Sequence, residues 1–126
     1  MKINKKVHSK EFRNKMASNA RTVNKNKKPD GFIYVLQFGN KNIFKFGTSA
    51  NPDRRIKDID SSSPVKIIEL GRFYFKNAYE MEECIHENIQ EFLLRKEWFK
   101  IEKSIVLEII EELKFMSENG YYLQRI

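Results

Sequence analysis

Apolar residues cluster in a few short runs with different periods. "GFIYVLQF" (31–38) is an unbroken β-branched and aromatic run, and "NIFKFG" (42–47) is a second. The "GNK" between them carries Gly39-Asn40, residues that tolerate positive φ, so the pair reads as a β-hairpin. "NPDRRIKDID" then starts a helix, with Asn51 as cap, Pro52 at the first helical position and Asp53 in the first turn. "SSSP" (61–64) breaks it, and "VKIIELGRFYF" (65–75) reads as a third strand, bent or bulged at Gly71. Over residues 77–94, Ala78, Met81, Ile85, Ile89 and Phe92 recur at helical spacing and predict one amphipathic helix. "EWFKI" (97–101) is a short extended piece. Ile105, Ile109, Leu113 and Met116 mark a last helix ending near Asn119-Gly120. The order ββαβα, then a short strand and a helix, makes a small α+β domain.

Charge divides the chain. Residues 1–30 hold ten lysines and arginines against two acids, +8, and include Lys25, Lys27 and Lys28. Residues 31–126 hold 14 against 15, −1. We therefore expect a basic, flexible N-terminal arm (1–30), with a short helix near residues 9–19, and one domain over 31–126 that includes the C-terminal helix. Such arms bind nucleic acid by releasing counterions from phosphates, and they also serve as solubilising leaders. The chain has ten Phe, five Tyr and one Trp, material for a core. No apolar run is long enough to span a membrane, and no apolar leader opens the chain. One cysteine and two histidines nearly exclude Cys/His zinc chemistry. The chain reads as soluble and cytoplasmic.

Three places carry candidate chemistry. With a two-residue turn at Gly39-Asn40, Tyr34 lies directly opposite Lys45; a four-residue loop keeps them diagonal on one face; an odd loop separates them. An ammonium beside a phenol lowers its pKa and makes it a usable base. On spacing alone, a packed aromatic and a solvated lysine are the simpler reading. On the helix at 77–94, Glu80, Glu83, Glu87 and Glu91 point away from the apolar stripe and read as a solvated face, whereas Glu82 falls at its edge with His86 one turn on. Such a pair could hold a hard cation or move protons, although on spacing alone a rim carboxylate with a surface histidine is the simpler reading. Arg54 and Arg55 stand at a helix N-terminus, where the dipole favours anions, and "GTSANPD" adds hydroxyls and backbone donors; a phosphate suits them, as does plain solvent.

In this order, the signals resemble the GIY-YIG nuclease superfamily. "FIY", ending at Tyr34, is similar to its first motif and "KFG", ending at Gly47, to its second. Arg55 follows eight residues later, and Glu82 stands in the next long helix. The string "AYEMEECIH…EWF" looks like the compact branch found in phage, viral and bacterial genes and in related fungal meiotic proteins. Phe32 stands where the first motif has glycine, and Lys45 where the second has tyrosine. The resemblance implies a three-stranded, mainly antiparallel sheet flanked by helices, and a DNA endonuclease dependent on Mg²⁺ or Mn²⁺. In it Tyr34, helped by Lys45, would be the base. Arg55 would stabilise the phosphate, Glu82 would bind the metal, and His86 would assist the base or orient Glu82. Arg54, Lys57 and the arm lysines Lys25, Lys27 and Lys28 would hold nucleic acid, DNA before RNA, with specificity drawn from a protein partner. Two other classes stay open: a non-catalytic nucleic-acid-binding module on the same fold, and a protein-interaction adaptor.

Overall fold

In the computed structural model, which describes residues 30–119, the hairpin closes through a four-residue loop. Strand β1 (Gly31–Phe38) pairs with β2 (Ile43–Ser49) so that Leu36 lies opposite Lys45 and Tyr34 opposite Gly47. Tyr34 and Lys45 are therefore diagonal on one face. The turn itself is tight, with Gly39 at φ 61° and the Lys41 N–H donating to the Phe38 carbonyl at 3.1 Å. The loop is longer because Lys41 and Asn42 are held on its far side. The Gln37 amide donates to the Lys41 carbonyl (3.0 Å), and the Asn42 carbonyl accepts the Ile101 N–H (3.1 Å). The basic arm, its helix near residues 9–19, Lys25, Lys27 and Lys28, and the helix end at Gly120 lie outside the described residues.

Helix α1 (Pro52–Ser61) begins as its sequence implies, the Asn51 side chain accepting the Arg54 N–H at 3.3 Å. Asp53 in its first turn pairs with Arg72 at 2.9 Å and ties the helix start to β3 (Ile67–Phe75). The β1–β3 register skips Leu70, which places the expected bulge beside Gly71.

The sheet has five strands, not three. Helix α2 (Ala78–Asn88) ends about one turn before its apolar periodicity does. A 3₁₀ turn (Gln90–Phe92) continues a near-helical spacing, which is why Phe92 looked like part of the same stripe. Then β4 (Leu93–Arg95) and β5 (Trp98–Lys100) form a hairpin around Lys96-Glu97. β5 pairs with β2, and the order across the antiparallel sheet is β3-β1-β2-β5-β4. Lys96 sits at φ 55°, a left-handed conformation that strains side-chain-bearing residues by about 1–2 kcal/mol. Lys96→Gly is expected to raise stability by about 0.5 kcal/mol, net of the entropy glycine adds to the unfolded chain. Urea unfolding checks it, and a loss of stability would contradict this turn.

The pleat sends alternate residues to opposite faces. Ile33, Val35, Phe44, Phe46 and Phe99 pack against α2 and α3 (Lys103–Glu118), whose Ile105, Ile109, Leu113 and Met116 are buried as their spacing predicts. Tyr34, Leu36 and Ile67 form a smaller core under α1, with Ile56, Ile59 and Trp98. Glu80 is 4% exposed, not part of a solvated face, and its Oε1 has no hydrogen-bond partner. Among the described residues, no helix is long and apolar enough to cross a membrane.

Candidate active site

The β2–β5 ladder ends at Lys45 opposite Trp98, so the rest of β2 is an open sheet edge. Around that edge is a polar cleft of about 280 Å³, lined by Tyr34, Thr48, Arg55, Tyr79, Glu82, Glu83, His86 and Glu97. Its residues come from both faces of the sheet. Tyr34 belongs to the α1 side, and Glu82 and His86 belong to the α2 side.

Gly47 lets the two sides meet. A Cβ built on it would fall on the Tyr34 ring, 2.8 Å from Cε1 and closer to Cζ and the hydroxyl. The glycine's φ is not positive, so the requirement is space and not backbone freedom. Tyr34 thus lies across β2 and puts its hydroxyl at the open edge.

At that hydroxyl the cation is Arg55, not Lys45. The Arg55 guanidinium hydrogen-bonds the phenol oxygen. Burial pushes the Tyr34 phenol above its ordinary pKa, and Arg55 only partly offsets this. Lys45 is 7% exposed and turns to Glu97, Nζ to Oε1 at 2.6 Å, with the Trp98 ring centroid 5.7 Å away. The diagonal register explains the change of partner. Lys45 stands between Leu36 and Trp98, two residue pairs further from the cleft than Gly47.

Glu82 is 7% exposed, and burial holds its carboxyl above the usual carboxylate range. The Thr48 hydroxyl donates to its Oε1 at 2.8 Å, and His86 Nε2 lies 3.5 Å from Oε2. His86 Nε2 is also 2.8 Å from the Phe46 carbonyl on the β2 edge. A carbonyl only accepts, so Nε2 carries a proton there. That nitrogen is neither a metal ligand nor a base. Through Nε2, His86 satisfies a carbonyl on the open edge of β2 and stands beside Glu82, the arrangement expected if it orients Glu82.

The hydroxyls of "GTSANPD" serve structure. Thr48 binds Glu82, and Ser49 Oγ accepts the Asn51 N–H at 2.9 Å. Arg54 and Lys57 are exposed on α1 outside the cleft lining. The sequence pattern pointed to no role for Glu97 or Tyr79, offered Thr48 only as one of several hydroxyls near a phosphate, and placed Glu83 on a solvated face although it lines the cleft. Glu97 stood in the quoted "EWF" string, and Thr48 directly follows Gly47. For Tyr79, whose hydroxyl bonds the Glu83 carboxylate, spacing carried no signal.

Among the described residues, no three His, Cys, Asp or Glu groups converge tightly enough to hold a metal ion alone. The cleft donors are carboxylate oxygens, which suit a hard cation that keeps water and ligand oxygens in its shell, as magnesium does.

No curated protein and no solved structure matches the chain. A match to the T5orf172 domain runs over residues 31–114, from the first residue of β1 into α3, and includes every residue of the cleft. The chain belongs to the T5orf172 domain family.

Proposed function

We propose that the protein is a metal-dependent DNA endonuclease of the GIY-YIG type. The observation that carries this reading is the convergence of Tyr34, Arg55 and Glu82, from three different elements, on one polar cleft. Charge supports it too. Three carboxylates (Glu82, Glu83, Glu97) line the cleft with one guanidinium, and Lys45 pairs with Glu97. A phosphodiester is repelled from such a cleft unless a cation enters with it.

Glu82 would hold Mg²⁺ or Mn²⁺, with Glu97 near enough to raise its pKa and to share the charge. The ion supplies Lewis-acid stabilisation of the leaving oxygen. Tyr34 takes the proton of the attacking water as the new P–O bond forms and the ester P–O bond breaks. Arg55 serves twice, stabilising the phenolate and donating to the phosphate oxygens. Thr48 and His86 fix the Glu82 carboxylate. Arg54 and Lys57, exposed on α1, would contact the flanking backbone.

The test is nicking of supercoiled plasmid with Mg²⁺ or Mn²⁺, comparing wild type, Tyr34→Phe and an EDTA control. Wild type should cut, EDTA should abolish cutting, and Tyr34→Phe should slow it by about 100-fold or more. Equal cutting by Tyr34→Phe would remove the base role. Binding without cutting favours the non-catalytic module, which the raised Tyr34 pKa makes the second reading. An adaptor would bind DNA at neither low nor high salt.

The pH profile follows from the same group. The base works only as phenolate, and the free phenol titrates above its ordinary value. Cleavage should therefore climb about tenfold per pH unit from neutrality toward pH 10, with no neutral plateau. Arg55→Met removes the one cation that lowers this pKa and should shift the profile further alkaline. A bell centred near pH 7 would exclude Tyr34 as the base.

A further inference from the structure

A second cavity, about 390 Å³, opens beside the cleft on the α1 face of the sheet. Its walls are apolar and include Phe38, Ile59, Leu94 and the Trp98 indole, and Arg95 stands at its rim. Phe38 and Trp98 meet edge to face, 5.7 Å between centroids, which holds the indole in place as a wall. Leu94 is 52% exposed, so the opening is lined by a large apolar group facing solvent.

Two features join this cavity to the cleft. Glu97 lines the cleft and the next residue, Trp98, lines the cavity, so one hairpin turn divides them. One stripe of α1 also serves both. Arg55 reaches the cleft, while Ile59 and Ser62, four and seven residues on, reach the cavity. Seven residues of helix rise about 10 Å. A nucleic-acid strand advances about 3.4 Å per nucleotide when stacked, and further when unstacked, so about two or three nucleotides bridge the sites.

We propose that this cavity receives an unpaired nucleobase, about two or three nucleotides from the phosphodiester in the cleft. Resting on the endonuclease reading, it names the substrate as DNA with single-stranded or unpaired character at the cut. A flat π-face suits the Trp98 wall, and an apolar cavity with one polar edge is the usual form of a ligand site. The rim favours a nucleotide over an apolar peptide. Arg95 and Lys96 on the hairpin are exposed cations beside the cavity that suit a phosphate backbone. A base within an intact duplex cannot enter such a cavity, so full pairing should exclude it.

Trp98 is the sole tryptophan, so intrinsic fluorescence reads this site directly. The full chain is titrated with Ca²⁺ in place of Mg²⁺ or Mn²⁺, the oligomers being checked afterwards for cleavage, with an oligothymidylate, an abasic oligomer of equal length and a blunt duplex. The oligothymidylate should quench Trp98 and bind at least fivefold more tightly than the abasic oligomer, and the duplex should not quench (about 1 kcal/mol or more per stacked base). Leu94→Asn, at the exposed rim, should weaken oligothymidylate binding about fivefold. No quenching, equal quenching by the abasic oligomer or the duplex, or unchanged affinity in Leu94→Asn would overturn the proposal. So would concentration-dependent self-association that buries Trp98 and that the oligonucleotide does not compete away. Because the titration needs no catalysis, a protein that fails the plasmid assay can still pass here, and the reverse also holds.

Discussion

Replacing Gly47 by alanine should cost both stability and cleavage, although it adds a single methyl group to a strand. The new Cβ would fall within 3 Å of the Tyr34 ring, nearer than side-chain carbons approach, and the ring is fully enclosed. Either Tyr34 swings away or β1 and β2 part. Overpacking of this kind costs about 2 kcal/mol, or about 10 °C in the Tm of a domain this size. Because Tyr34 leaves the open edge of β2, cleavage should fall by about 100-fold as well. Thermal unfolding and plasmid nicking check the two effects. The double variant Gly47→Ala with Tyr34→Leu should regain most of the lost stability and none of the activity, because both changes act on one contact. If Gly47→Ala is as stable and active as wild type, the ring does not lie across the strand.

Glu82→Gln should separate stability from activity. Burial raises the Glu82 pKa in the folded chain, so protonation favours the folded state and the ionised carboxylate opposes it at neutral pH. The sign follows directly. Stability lost to this group is greatest above its folded pKa and vanishes below its unfolded pKa of about 4.3. The amide is isosteric, keeps an oxygen for the Thr48 hydroxyl and carries no charge. We expect the Tm at pH 7 to rise by a few degrees, the gap to wild type closing toward pH 4. Cleavage should fall by about 10²–10³-fold, since the amide cannot hold the cation. A destabilised Glu82→Gln would mean that the carboxylate serves the fold. A stable and fully active one would remove it from the site.

The hairpin, the capped start of α1, the third strand with its bulge and the buried stripe of α3 were all legible in the chain. Each rests on local chemistry: turn glycines, an N-cap before proline, or apolar residues at one period. Of the two further strands, β5 was legible as the extended "EWFKI", but β4 was not, because "QEFLLR" has no local signal against a continuing helix. Leu93–Arg95 becomes a strand only because β5 offers it an edge and Lys96 accepts a left-handed turn. The candidate site divides in the same way. Sequence order named Tyr34, Arg55, Glu82 and His86 as a set. Their partners depended on a two-residue change in loop length, which gave the Tyr34 hydroxyl to Arg55 and Lys45 to Glu97. The His86 proton is likewise assigned by a strand carbonyl that only the open edge of β2 leaves unpaired. Local sequence determined which elements form and which residues carry the chemistry. Register, edge and crossing distance are properties of strands distant in the chain, so only the tertiary structure decided which charge faces which.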